Sequence, residues 1–250
     1  MLSSNPSQDS PPQKFTREES SSSSDSQRSP NALNHVAGHN PMVVFVHQYS
    51  IMGGSSSLMF GMATLLAQRG IPAVTFDMRG VNRSTGWKTL TGHRETEDVV
   101  VVCSWCVRNF EAKNIVIVGS SAGAPIGGSA VEQLPEIRGY VGIGYVFGFA
   151  ASLLFRGHYK KILQSSKPKL FIHGDEDGFT STATFTSYFN SAEDPKEKRI
   201  IPKVGHFEME GPAYDAFMAA EIVKFIDKYL QAAVQATSAA MPAAGSVDSN

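Results

Sequence analysis

The sequence predicts a three-layer α/β fold whose mostly parallel sheet has about six strands. Three observations lead there. Short apolar runs alternate with helix-compatible segments about six times, and such alternation builds a parallel sheet through right-handed crossovers. The runs are apolar without interruption, as strands covered on both faces must be. One of them, in Asn114-Ile-Val-Ile-Val-Gly-Ser-Ser-Ala-Gly123, passes directly into G-x-S-x-G and then into a small, helix-compatible segment. This is the setting of a nucleophile elbow. A serine at the tip of so tight a turn needs neighbours without Cβ atoms, and Gly119 and Gly123 supply them.

Taken in order, the chain opens with residues 1–40, which hold eleven serines, four prolines and almost no apolar periodicity. Such a stretch cannot bury enough surface to offset its ordering entropy, and it reads as a disordered tail. Its serines suit an organellar transit peptide, whereas its four acidic residues do not; targeting by this segment stays open. The domain proper is expected over 41–231, and the Ala-rich residues 232–250 read as a second tail.

Strands are expected at 42–46, 73–76, 115–118, 139–145, 169–173 and 199–202. The helix at 58–69 has Leu58, Met62, Leu65 and Leu66 as its apolar stripe, with Ser55–Ser57 as caps and Gly70 closing it. The helix at 92–110 turns Val99, Val102, Cys103 and Cys106 inward. Further helices are expected at 124–134, 152–164 and 182–190. A last one, at 212–230, has Phe217, Ile222, Phe225 and Ile226 on its buried face.

Composition excludes several classes. A formal charge of −1 argues against a nucleic-acid binder working through a basic face. No run of about eighteen apolar residues suggests a membrane span. The two cysteines, Cys103 and Cys106, read as buried thiols of an amphipathic helix, suited to a reducing, cytoplasmic setting. The histidines show no ligand spacing, so neither a metal nor another cofactor is expected.

In a parallel sheet, ligands sit beyond the carboxyl ends of the strands. The residues there are His47-Gln48-Tyr49, Asp77, Ser120-Ser121, Asp175-Glu-Asp177 and His206. A nucleophilic serine needs a base and an acid to orient that base. Ser121, then an acid, then His206 follow the chain order of one such arrangement. The acid is Asp175 or Asp177, and the room needed after the Gly174 turn favours Asp177. His173, at a strand end, is expected to satisfy local backbone groups, and Asp77 and Arg79 to pin their loop.

These segments, together with Val43-Val-Phe-Val-His-Gln-Tyr49, Phe76-Asp-Met-Arg-Gly80, Arg83-Ser84 and His173-Gly-Asp-Glu-Asp177, resemble the α/β-hydrolase superfamily from about residue 42 to 230. The likeness is greatest to small lidless serine hydrolases of the dienelactone-hydrolase and carboxylesterase neighbourhood. The resemblance implies a catalytic triad of Ser121, Asp177 and His206, and an oxyanion hole from the backbone N–H groups of Ala122 and Tyr49. It also implies a small-molecule ester or thioester as substrate. Three departures stand out. Gln48 replaces the glycine of the usual His-Gly, Asn82 replaces the second glycine of R-G-x-G-x-S, and the two opening antiparallel strands have no candidates. The short 146–168 connection has room for a helix but not for a cap domain. The rival reading is a non-catalytic ligand-binding receptor or scaffold on the same fold.

Overall fold

The computed structural model describes residues 41–48, 53–148, 153, 155 and 157–231. The two expected tails and Tyr49 lie outside them. Six strands form one sheet in the order β2-β1-β3-β4-β5-β6, and every neighbouring pair is parallel. They are β1 (Met42–Val46), β2 (Ala73–Thr75), β3 (Ile115–Ser120), β4 (Ile137–Ile143), β5 (Lys169–Gly174) and β6 (Lys196–Ile201). The helices are α1 (Phe60–Ala67), α2 (His93–Phe110), α3 (Gly123–Ala130), α4 (Thr182–Ser191) and α5 (Asp215–Ile226).

The period of two within each strand sorts the core into two layers. Met42, Val44 and Val46 of β1 face one side with Val99, Cys103 and Cys106 of α2, Ile126 of α3 and Phe185 of α4. Val43 and Phe45 face the other, with Met62 and Leu66 of α1 and Ile222, Phe225 and Ile226 of α5. All five β1 side chains are buried, which explains why the strand reads as an unbroken apolar run. Both cysteines are free, and burial pushes their thiols up, Cys103 to about 12 and Cys106 to about 11. They act as small hydrophobes.

Several local expectations differ. Leu58 is exposed, because the 56–59 segment is a 3-10 turn that precedes α1 and lies off its apolar stripe. Ser55 makes no side-chain cap there. Phe217 is also exposed, since α5 turns Met218, Ala219 and Ile222 to the sheet instead. Val102 is only half-buried on α2. β4 begins at Ile137, and β6 begins at Lys196 with four charged residues in its first four positions. Those charges sit on an edge strand, where they discourage pairing with another chain. Between β4 and β5 the described residues hold helical positions at Leu153 and Phe155 and a 3-10 segment, His158–Gln164, and no cap domain.

The elbow is held by backbone packing. A Cβ on Gly123 would lie 2.1 Å from the carbonyl oxygen of His47 and 2.6 Å from that of Val46. Neither oxygen can retreat without breaking β1. Gly123→Ala should therefore destabilise the fold by about 3 kcal/mol, read as a lower urea midpoint. An unchanged midpoint would contradict this packing.

Candidate active site

Ser121 follows the last residue of β3 and has φ 53°, a left-handed conformation that non-glycine residues seldom adopt. The turn lifts its side chain above the strand ends. Ala122 has helical φ and ψ and begins α3, where the leading N–H groups lack intrahelical acceptors.

Two further strand ends meet this serine. The turns after β5 and β6 are tied together by the N–H groups of Asp175 and Glu176, which donate to Ile201 and Val204 at 3.1 Å each. Asp175 Oδ1 accepts from the Lys203 N–H at 2.6 Å. Asp175 thus pins the loop that carries His206, while Asp177 reaches the imidazole. His206 Nδ1 lies 2.6 Å from Asp177 Oδ2, and His206 Nε2 lies 2.7 Å from Ser121 Oγ. An ionised carboxylate only accepts, so Nδ1 carries the proton and Nε2 is left to accept from the serine hydroxyl. Asp177 Oδ1 accepts from the N–H groups of Phe179 and Thr180 at 2.8 and 3.0 Å. Burial alone would raise the Asp177 pKa, but the bonds from His206, Thr180 and Phe179 outweigh it and hold the carboxyl below its ordinary value. The structure therefore brings Ser121, His206 and Asp177 into one hydrogen-bonded line, as a nucleophile–base–acid relay requires.

The remaining neighbours have supporting places. His47 is wholly buried, with Nδ1 on the Gln48 carbonyl at 2.7 Å and Nε2 accepting from the Met78 N–H at 3.1 Å. Burial lowers its pKa, so it is a neutral brace between two loops. Asp77 accepts from the Ser56 N–H and from Asn82, whose φ is 46°, and Arg79 forms a forked pair with Asp98. Both pin the loop as expected. His173 corrects its sequence reading: among the described residues its side chain bonds no backbone group. Its ring stacks on Phe185 at 4.3 Å, both ring nitrogens lack hydrogen-bond partners among the described residues, and Nδ1 is 4.0 Å from Asp177 Oδ2. Burial keeps this imidazole neutral by lowering its pKa. No cluster of three His, Cys, Asp or Glu among the described residues could hold a metal ion.

The sequence does not single out every neighbour of the site. Glu210, on the short 3-10 turn after His206, accepts from Ser120 Oγ at 2.9 Å and so links the residue before the elbow serine to the histidine loop. Burial raises its pKa against the lowering effect of that hydrogen bond. Gln48 is buried beside it in a loose polar contact, with neither amide atom in a well-formed hydrogen bond among the described residues. The run Glu208-Met-Glu210 just past Gly205-His206 is the only trace of this in the sequence. Glu208 accepts from the Gly205 N–H at 2.6 Å and holds the same loop.

A raised carboxyl pKa has a defined sign. The folded state binds the proton more tightly than the unfolded one, so Glu210 costs stability as pH climbs above the ordinary glutamate value of about 4.3. Glu210→Gln keeps an acceptor for Ser120 and cannot ionise. Its thermal midpoint should exceed the parent's at neutral pH and match it near pH 4. A lower midpoint at pH 7 would contradict this account.

A profile of the alpha/beta hydrolase fold matches residues 41–147. Among curated proteins nothing matches the sequence. Solved structures are similar at low identity. An α/β serine hydrolase without a lid from Xanthomonas campestris is 20% identical, with a TM-score of 0.63 over 78% of this chain and 84% of its own. An alpha-beta serine hydrolase homologue from Coxiella burnetii is 21% identical, with a TM-score of 0.62 over 74% and 84%. An esterase from Pyrococcus furiosus is 17% identical, with a TM-score of 0.61 over 77% and 84%. Six parallel strands in this order, the matched profile and these neighbours agree: the chain has the alpha/beta hydrolase fold.

Proposed function

We propose that the protein is a serine hydrolase that cleaves carboxylic esters or thioesters through an acyl-enzyme. The observation that carries this reading is the line of short contacts from Ser121 Oγ through His206 to Asp177, at 2.7 and 2.6 Å. A pure binder has no use for a serine held in a left-handed turn against an oriented imidazole.

In the first half-reaction, Ser121 Oγ attacks the acyl carbon and its proton passes to His206 Nε2. Asp177 stabilises the imidazolium that results. The charged oxygen of the tetrahedral intermediate accepts from the Ala122 N–H and from a second N–H in the loop after β1, assigned to Tyr49 by the family resemblance. Collapse breaks the bond to the alcohol or thiol, which leaves with the Nε2 proton. Water then attacks the acyl group, His206 takes and returns its proton, and Ser121 is regenerated. The chain's own side chains supply every proton transfer, and no cofactor is required.

With no cap domain among the described residues, short soluble esters should reach Ser121 directly, without activation by a lipid–water interface. We assign the activity to residues 41–231, with 1–40 and 232–250 as tails. The free buried thiols suit a reducing compartment such as the cytoplasm. No helix among the described residues is long and apolar enough to cross a membrane.

The test is turnover of p-nitrophenyl acetate by single variants. Ser121→Ala and His206→Ala should each lower kcat by about three to six powers of ten, and Asp177→Asn should leave a small residue of activity. Full activity in Ser121→Ala would overturn the assignment.

A further inference from the structure

The histidine side of the candidate site is walled by two aromatic rings that are left open to water. Phe179 is 47% exposed and Phe207 is 64% exposed, whereas His206 is only 5% exposed. The Phe179 ring lies 4.6 Å from the His206 ring, centroid to centroid, and is tilted 57° to it. Phe207 stands edge-on to both, 5.5 Å from His206 and 5.5 Å from Phe179. The three rings form a corner with the imidazole on its inner side.

The corner is fixed to the reactive groups. The backbone N–H of Phe179 donates to Asp177 Oδ1, the carboxylate that also holds His206, and Phe207 follows His206 directly in the chain. Adjacent exposed aromatic rings beside a reactive group mark a contact surface, because they forgo burial that an apolar ligand would restore. The chemistry says which part of the substrate that is. His206 Nε2 must hand its proton to the departing oxygen or sulfur, so the leaving group passes within hydrogen-bond reach of the imidazole. The acyl chain is attached on another side of the tetrahedral carbon and points elsewhere.

We propose that Phe179 and Phe207 form a leaving-group platform that selects esters of flat, aromatic alcohols. This rests on the serine-hydrolase reading and deepens it: it concerns the alcohol rather than the acyl group. Offset and edge-to-face contacts with the two rings would hold an arylmethyl group while its oxygen meets Nε2.

The test compares benzyl acetate with methyl acetate on the full chain. The two alcohols have nearly equal acidity and the acetyl-enzyme is common to both, so the ratio of kcat/KM reports contacts to the leaving group. The expected ratio is about ten to a hundred in favour of benzyl acetate, after one or two aromatic contacts. In Phe179→Ala/Phe207→Ala the ratio should fall to within about threefold of one, and Phe179→Leu/Phe207→Leu should lie between, keeping apolar bulk without flat rings. A ratio near one in the unaltered protein overturns the platform, as does an equal loss for both esters in the alanine variant. The latter would mean that the rings only shield the His206–Asp177 pair. No turnover of either ester or of p-nitrophenyl acetate would instead remove the hydrolase reading itself, and the platform with it.

Discussion

The site depends on one close approach of backbone to backbone. At the end of β1, the carbonyl groups of Val46 and His47 press against Gly123, and on the other side of the turn Gly119 presses against Gly123 and Ala124. Strand pairing sets this vice, since Val46 lies in register with Gly119. The space left admits only a turn in which Ser121 takes φ 53°. A left-handed serine is costly on its own. It persists because the sheet on one side and α3 on the other leave the chain nowhere else to go.

Once that serine is fixed, the rest of the constellation is a matter of register. β5 and β6 run side by side with His173 opposite Ile200 and Gly174 opposite Ile201. Their following turns therefore emerge together, one carrying Asp177 and the other His206. Within that pair of turns, the two aspartates divide the labour: Asp175 binds the backbone of the neighbouring loop, and Asp177 binds the imidazole. Two side chains nearby, His173 and Gln48, lack hydrogen-bond partners among the described residues, and burial disfavours the Glu210 carboxyl as an anion. Such groups collect where reactivity matters more than stability.

Much of this is legible in the sequence because it is local or periodic. The 42–46 and 115–118 runs announce doubly buried strands, the glycines of G-x-S-x-G announce their own steric need, and Asn82 announces a left-handed turn that it adopts. What is missed has a non-local cause. Glu210 meets Ser120 across 90 residues, and Phe179 and Phe207 become neighbours only when β5 and β6 bring their loops together. The start of β6 hides because an edge strand carries Lys196, Glu197, Lys198 and Arg199 where a central strand would carry apolar residues. Phe217 misleads because helical spacing permits more than one buried face, and packing into the core layer shared with α1 and the sheet selects the one with Met218 and Ile222. His173 misleads because its ring is held by stacking, which has no sequence signature.

The central claim is that Ser121 is an activated nucleophile facing a working oxyanion site. A fluorophosphonate reacts only where both exist, since phosphorus must be attacked by an activated hydroxyl and the charged phosphoryl oxygen must be stabilised. The most direct measurement is mass spectrometry of the peptide containing residues 114–132 after treating the folded protein with such a probe. The account predicts one adduct, on Ser121, absent from Ser121→Ala and greatly slowed in His206→Ala. An unmodified peptide from correctly folded protein would contradict it and favour a receptor or scaffold built on the hydrolase fold.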